Sequence, residues 1–425
     1  MKVLVVGSGG REHALGWKLG QSPAVDALYF APGNGGSAGI GENVPIKDDD
    51  IEGIVAFARD NGVDLVVAGP ELPLTLGLTD ACQAAGIACF GPSRYCAQLE
   101  GSKVFAKEIM REGGVPTAAF TVFEDFEQAK AHVEKAAYPL VVKADGLAAG
   151  KGVTVCKTKE EAVSALKEAM VDRVFGPAGD KTVVEEALIG EEASFLAFCD
   201  GAAYLPMTVC QDHKAVGEGD TGPNTGGMGA YCPAPVVPEA DYAKIGALVI
   251  QPILDVLARR GHPFKGILYA GLMMTASGPQ VLEYNVRFGD PECQPLLIRL
   301  ESDLMDVIEA CRAGTLTELD LRFSPKSALC VVMASKGYPG SYAKGAPITG
   351  IGEADKLPGV KVFQAGTKAE KDGVVTSGGR VLGVTALGEG LAEAKKRAYE
   401  AVAEIHFEGC FHRRDIGDKG LKRIG

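Results

Sequence analysis

Short, almost continuous apolar runs at residues 2–6, 27–30, 65–68 and 87–90 predict buried strands, and the stretches between them, at 11–19, 51–61 and 76–85, predict helices. Strands buried on both faces and separated by helices pair in parallel through crossovers, so the first hundred residues are expected to form an open parallel sheet. The segments leaving its strands, Gly7-Ser8-Gly9-Gly10, Ala31-Pro32-Gly33-Asn34 and Gly69-Pro70-Glu71, then gather at the carboxyl ends, where such sheets bind ligands.

Gly101-Ser102-Lys103 opens a helical stretch to about Glu112, and a domain boundary is expected there. A compact pattern follows, with strands at 120–122, 139–144, 154–156 and 182–186 and helices at 125–136 and 160–170, which reads as a small α+β subdomain. Further strands are expected at 194–199, 203–206, 267–275 and 280–286, with one long helix over 242–260. From about Phe323, strands at 328–334 and 360–364 and a hairpin around 374–384 lead into an amphipathic helix at 391–405. The fold class expected is α/β, an α+β multidomain chain. It divides into an N-terminal open parallel α/β domain at 1–101, a central domain at 102–322 whose lid spans about 117–189, and a small β-rich C-terminal domain at 323–425.

Composition narrows the function classes. With 425 residues, 46% of them hydrophobic and 23% charged, the chain can bury several cores and is not disordered. A net charge of −12 argues against a duplex-tracking basic surface and against anionic membranes, and no stretch of eighteen apolar residues occurs. Neither nucleic acid nor membrane is an expected partner. The 11 cysteines show no Cys-x-x-Cys spacing, which suggests neither a disulfide framework nor a thiolate zinc site and fits a reducing cytoplasm. The expected oligomeric state is a monomer. The 56 glycines exceed the usual share and point to close backbone approach to a ligand.

Gly7-Ser8-Gly9-Gly10-Arg11-Glu12-His13 runs from a strand into a helix and is suited to an anion. The dinucleotide fingerprint fails, because Glu12 stands where its third glycine would be and the second strand ends in Asn34, not in a ribose-gripping acid. The stretch from Leu140 to Val155 is a glycine-rich turn between two β-branched runs, and its spacing is not that of a P-loop. As a hairpin flap, its Gly146, Gly150, Lys151 and Gly152 can lie over nucleotide phosphates while Lys143 supplies a point charge. In Gln280 to Glu292, a period of two puts Glu283, Asn285 and Arg287 on one strand face, with Leu282, Tyr284 and Val286 on the apolar one. A carboxylate and an amide oxygen suit Mg²⁺ bridged to phosphates, and Arg287 suits an anionic substrate. The long glycine-rich loop from Gln211 to Ala230, with Asp212, His213, Lys214 and Asn224, reads as a substrate loop that orders on binding; His213 lacks the partners of a zinc site.

Taken in order, Gly101-Ser102-Lys103, the flap from Lys143 to Val153, Glu185 to Glu192 and Glu283-x-Asn285 resemble the nucleotide site of the ATP-grasp superfamily. Together with Pro223 to Gly229 and the terminal Phe411-His412-Arg413-Arg414-Asp415-Ile416, they make nearly the whole chain similar to the phosphoribosylamine–glycine ligase (glycinamide ribonucleotide synthetase) family. The resemblance implies a central ATP-grasp fold and a ligation of de novo purine synthesis. ATP phosphorylates glycine, the amine of 5-phosphoribosylamine attacks the glycyl phosphate, and glycinamide ribonucleotide, ADP and phosphate result. It further implies that Lys103 and Lys143 hold ATP phosphates, Glu185 the adenine amino group, Glu186 and Leu188 the ring through main-chain groups, and Glu192 the ribose. Glu283 and Asn285 would ligate Mg²⁺ or Mn²⁺, although the preceding strand, Ile267 to Met273, offers no second acid. Arg287 and Asp212 are then expected to hold the carboxylate and ammonium of glycine, with Lys143 completing the catalytic set. Gly9, Gly10, Arg11, Asn34 and Glu71 are expected to hold phosphoribosylamine, and Lys214 and Asn224 to line the substrates. The alternatives are another ATP-grasp carboxylate–amine ligase of nucleotide synthesis and a nucleotide-binding regulator without turnover.

Overall fold

The structure is a computed structural model that describes residues 1–147 and 152–425. Among the described residues the N-terminal sheet has the order Glu42–Asn43, Ala27–Pro32, Lys2–Gly7, Leu65–Ala68, Ala88–Phe90, every neighbouring pair parallel, as the apolar runs imply. Residues Val3 to Val6 and Leu65 to Val67 are fully buried because helices cover both faces of the sheet. The expected helix at 76–85 is two short ones, Glu71–Leu76 and Leu78–Ala84, because Gly77 sits at φ +96° and ends the first helical run.

The lid sheet has the order Phe120–Phe123, Thr182–Glu186, Leu140–Ala144, Val153–Cys156, all antiparallel. Alternation gives it two unlike faces. Leu140, Val142 and Val184 pack under the helices Phe126–Val133 and Lys159–Met170, while Lys143 and Glu185 point the other way, toward the body of the protein. That body contains an antiparallel sheet in the order Tyr204–Pro206, Glu191–Asp200, Lys265–Thr275, Gly278–Asn285. The expected long helix over 242–260 is divided into Tyr242–Val249 and Gln251–Arg259, since Pro252 lacks the amide that would continue the ladder.

A third large sheet is built on Ser327–Ser335, Arg380–Gly388 and Val360–Gln364, covered by the helix Leu391–Glu404. It also takes in Gln211–Asp212 and Gly229–Cys232 from the middle of the chain, so its hydrogen bonds run across residue 323. The hairpin expected around 374–384 does not form. Gly373–Thr376 pairs instead with Thr367–Glu370 and Pro347–Ile348 in a separate small sheet. The chain passes between the two sheets where Gly366 and Gly378 back onto each other, an approach too close for side chains.

The N-terminal and C-terminal regions lock together around His13, whose Nδ1 accepts from the amide of Gln364 at 2.9 Å, while its ring and that of Trp17 pack edge-on to Phe363. No helix among the described residues is long and apolar enough to cross a membrane. Gly16 packs directly on the apolar core, where an added Cβ would lie 2.3 Å from the ring of Phe30. Gly16→Ala should therefore destabilise the protein by about 1–3 kcal/mol through overpacking, read from the midpoint of urea unfolding, despite the better helix propensity of alanine; an unchanged or raised midpoint would show that Phe30 yields freely.

Candidate functional site

A narrow cleft between lid and body is lined by Lys103, Lys107, Lys143, Glu185, Leu282, Glu283 and Asn285 among others. The strand and helix patterns explain how they meet. Lys103 opens the helix Lys103–Gly113, whose N-cap Ser102 accepts from the amide of Phe105 and donates to Asp145 of the lid at 3.0 Å. Asp145 also accepts from the amide of Val104, so the lid carboxylate sits on the helix N-terminus, and Lys103 donates to the carbonyl of Gly146 at 2.9 Å. Lys143 lies 3.0 Å from Glu185 and donates to the carbonyl of Leu282 at 3.2 Å, reaching from the lid to the acidic strand. Gly152 lies at the foot of the flap, its carbonyl accepting from the amide of Ala144; Gly150 and Lys151 lie outside the described residues.

Glu283 and Asn285 project from the edge strand Gly278–Asn285, opposite Gly271 and Tyr269. The apolar face differs from expectation, because a bulge makes Leu272 pair with Val281 and leaves Leu282 as the extra residue. Val281, Tyr284 and Val286 are buried, while Leu282 turns partly into the cleft. Burial alone would raise the Glu283 carboxyl, but Lys214, Lys143, Lys103 and Arg287 outweigh it and hold the group below its ordinary value.

A separate, wider cavity of about 750 Å³ is lined by Glu192, Asp212, Lys214 and Asn224 among others. The glycine-rich stretch carrying these last three is an ordered hairpin. Ala215–Gly217 pairs with Thr221–Asn224, and His213 is buried, its Nδ1 3.3 Å from the carbonyl of Gly229. Lys214 lies 2.8 Å from Glu192. Burial pushes the Asp212 carboxyl up to about 7; Lys214 opposes that rise, and Glu292, Glu192 and Glu283 add to it. Glu186 is engaged at the lid edge, its carboxylate accepting from the amide of Ala119 at 3.0 Å, with Leu188 partly buried beyond it.

At the carboxyl ends of the parallel sheet, the expected anion cradle is already filled by the protein's own carboxylates. The amide of Gly9 donates to Glu12 at 2.5 Å and that of Arg11 to Asp290 at 3.3 Å. Gly9 and Gly10 are small because Glu12, Asp290 and Gln294 approach them, each with an atom within 3.0 Å of where a Cβ would stand. The Asn34 amide is consumed internally, donating to the carbonyls of Ser8, Gly9 and Gln364 and accepting from the amides of Gly36 and Ser37. Contact between the Asn34 side chain and a substrate is therefore not its role in this structure; it braces the loops that surround the site. Arg11 spans Glu12 and the carbonyl of Phe288, the latter at 2.9 Å. Arg287 bridges Glu71, at 3.2 Å, and Glu100, which brings two expected substrate residues together.

Three participants escaped the sequence reading. Lys107, four residues after Lys103, lies 3.1 Å from Glu185 and donates to Thr117 at 2.7 Å; the lysine spacing of one helical turn was the available signal. Burial holds its ammonium down to about 8. Oε1 of Glu185 makes its only close polar contact among the described residues with the Lys107 ammonium, as an ion pair. Glu100, just before the Gly101 motif, accepts from the amide of Val286 at 2.8 Å, and burial raises its carboxyl to about 7. Glu292 is buried, accepting from Tyr269 at 2.6 Å and from Ser194 at 3.1 Å.

Comparison with known proteins agrees along the whole length. Residues 1–100, 101–293 and 328–419 match, in turn, the N domain, the ATP-grasp (A) domain and the C domain of phosphoribosylglycinamide synthetase. The chain is 51% identical to a phosphoribosylamine–glycine ligase of Rhodopirellula baltica over 99% of its own length and 98% of that protein. It is 50% identical to one of Vibrio cholerae over 100% and 99%. The crystal structure of a phosphoribosylamine–glycine ligase from Thermotoga maritima aligns with a TM-score of 0.86 at 33% identity, covering 98% of this chain and 100% of that one. A biotin carboxylase domain of Hydrogenobacter thermophilus 2-oxoglutarate carboxylase, crystallised with MgADP, aligns at 0.76 over 97% and 91% with 16% identity, a likeness of fold alone.

The Arg287 bridge has a measurable electrostatic consequence. Glu100 has a folded value near 7, above its ordinary one, so the native state holds the extra proton and stability falls as pH rises from about 4.5 to 7. Arg287→Met removes the cation that pairs directly with Glu100 and Glu71 and leaves only the influence of Arg11, which should cost about 3 kcal/mol at pH 8, the scale of a broken buried pair. At pH 5, where Glu100 carries its proton, the loss should be clearly smaller. Urea unfolding at the two pH values checks this, and an equal loss at both would contradict it.

Proposed function

The chain belongs to the phosphoribosylglycinamide synthetase family and catalyses that family's ATP-dependent joining of glycine to 5-phosphoribosylamine, a step of purine biosynthesis; from that premise we propose how its residues divide the work. The observation that carries the proposal is the single cleft in which Lys103 and Lys143 face Glu283 and Asn285 beneath the lid. Lys103 and Lys143 hold the phosphates of ATP, with Gly146, Gly150, Lys151 and Gly152 closing over them. Glu185 is assigned the adenine amino group, while Glu186 and Leu188 read the ring through main-chain groups and Glu192 takes the ribose.

Glu283 and Asn285 offer two hard oxygens on one strand face, and the surrounding cations keep the first of them ionised, which fits magnesium or manganese. Among the described residues no group of three or more His, Cys, Asp or Glu side chains could hold a metal ion, so the remaining ligands are assigned to nucleotide oxygens and water. When bound, the ion supplies charge neutralisation at the phosphates. Asp212 receives the ammonium of glycine, and Arg287 faces its carboxylate. Arg11 and Glu71 form the phosphoribosylamine end, on a loop that Gly9 and Gly10 allow to close against Glu12, Asp290 and Gln294, with Lys214 and Asn224 on the walls between.

The γ-phosphoryl group passes to a glycine carboxylate oxygen as the bond to ADP breaks. The phosphoribosylamine nitrogen then attacks the carbonyl carbon, phosphate leaves and the amine loses a proton. The substrate amine is the nucleophile, so the protein contributes alignment, fixed charge and exclusion of water from the acyl phosphate. We place this activity in the cytoplasm and assign it to a monomer.

ADP release measured with ATP, Mg²⁺, glycine and freshly generated phosphoribosylamine, each omitted in turn, tests the division: release should require glycine, and glycine-independent release would refute the assignment of Asp212 and Arg287. Lys143→Ala should lower turnover by roughly 10²–10³-fold, the scale of one preorganised charge-stabilising donor; near-normal turnover would remove it from the site. Glu283→Ala should fold yet lose its magnesium-dependent activity, and an unchanged magnesium titration would count against ligation. Because Asp212 gains its charge near pH 7, amid Lys214, Glu192, Glu283 and Glu292, kcat/KM for glycine should rise with pH through that value and lose the rise in Asp212→Asn. A pH profile shared by both proteins would contradict the ammonium contact.

A further inference from the structure

The terminal motif Phe411 to Ile416 takes no part in the chemistry above, yet its arginine is the largest side chain that the fold buries completely. Arg413 forms a two-pronged pair with Asp415 at 2.8 and 2.7 Å. Its remaining nitrogen donates to the carbonyl of Ala215 at 3.0 Å and to Asp220 at 3.1 Å. Both acceptors belong to the hairpin that carries Asp212, Lys214 and Asn224. The hairpin tip is gripped as well: Asp415 accepts from the amide of Gly219 at 2.9 Å, the amide of Arg414 donates to Glu218 at 3.2 Å, and Lys419 pairs with Asp220 at 2.5 Å.

Two further observations show what this grip controls. Asp220 holds φ +58°, a conformation unfavourable for a non-glycine residue, between the two cations that bind its carboxylate. On the other side of the cavity Arg423 pairs with Glu191 at 2.5 Å, next to the Glu192 that meets Lys214. One C-terminal segment thus holds both partners of the Lys214–Glu192 contact from behind. It is itself anchored, since Tyr399 of the long C-terminal helix donates to the carbonyl of Arg413 at 2.6 Å.

We propose that Arg413, with Asp415, is a positioning residue for the ligase reaction: it sets the substrate hairpin so that Asp212 and Lys214 face the cavity at a fixed distance from the acidic strand. The inference rests on the reading of Asp212 as a glycine contact. A buried guanidinium that served only stability would change unfolding and leave substrate affinity alone, whereas a positioning group changes the affinity of the substrate whose contacts it aims.

Steady-state kinetics and urea unfolding of Arg413→Met, Arg413→Lys, Arg397→Met and Asp212→Asn separate these outcomes. Arg413→Met should raise KM for glycine about tenfold or more, the scale of a misplaced binding group, and lower kcat much less. Arg413→Lys should recover only part of the loss, because an ammonium cannot make the two-pronged pair. Arg397 binds Glu393 and the carbonyl of Leu387 on the same helix as Tyr399 but not the hairpin, so Arg397→Met should leave glycine KM unchanged. If Arg413→Met does not fold, Asp415→Asn takes its place with the same expected shift. A fall in unfolding midpoint with glycine KM within about twofold of wild type would overturn the positioning role while Asp212→Asn still raised KM. If Asp212→Asn itself left glycine KM unchanged, the underlying site reading would fall, and the inference with it.

Discussion

A carboxylate held ionised below the protein surface organises this molecule. Glu283 sits on an edge strand where burial alone would drive its charge away, and four cations drawn from separate places in the chain keep it. Lys103 comes from the first turn of a helix, Lys143 from the lid, Lys214 from the hairpin and Arg287 from the run that continues the strand. Removing an ion from water costs several kcal/mol, so each of these segments is fixed in part by the need to bring its charge to the same point. Lys143, itself buried, bridges to the carbonyl of Leu282, and the partly exposed Lys214 is tied to Glu192.

The acidic residues around the site divide by environment. Asp212 and Glu100 are pushed up toward 7, while Glu283, Glu71 and Asp290 are held down by their cations. Two kinds of carboxylate therefore coexist around the site: some stay charged and are suited to cations, and others gain or lose a proton near neutrality. The second kind suits a site that must take up an ammonium group. The N-terminal end of the first helix follows the same physics in reverse, since the amides expected to receive a substrate anion are occupied by Glu12 and Asp290.

The parallel sheet, the lid strands and the strand that carries Glu283 and Asn285 were legible in the sequence because each follows from a local pattern; the strand ends at Asn285, so Arg287, expected on the same face, lies in the bend beyond it. What was not legible depends on partners far along the chain. Nothing near Arg287 announces Glu71 and Glu100, which lie 216 and 187 residues away. Asn34 looks identical whether it faces a ligand or the carbonyl of Gln364. The bulge at Leu282 changes which residues are buried without altering the apolar pattern, and the glycines between Gln211 and Ala230 disguise a hairpin as a loop. Glycine content reports permissiveness of the backbone, and contacts such as those of Arg413 and Asp415, far along the chain, cannot be read from it.

The most direct test of the buried-charge centre is a crystal structure with ADP and Mn²⁺, located by the anomalous signal of manganese. The ion should lie against the side-chain oxygens of Glu283 and Asn285, with the terminal phosphate within reach of Lys143 and Lys103. A manganese peak elsewhere in the cavity, or a nucleotide whose phosphates point away from the acidic strand, would contradict it.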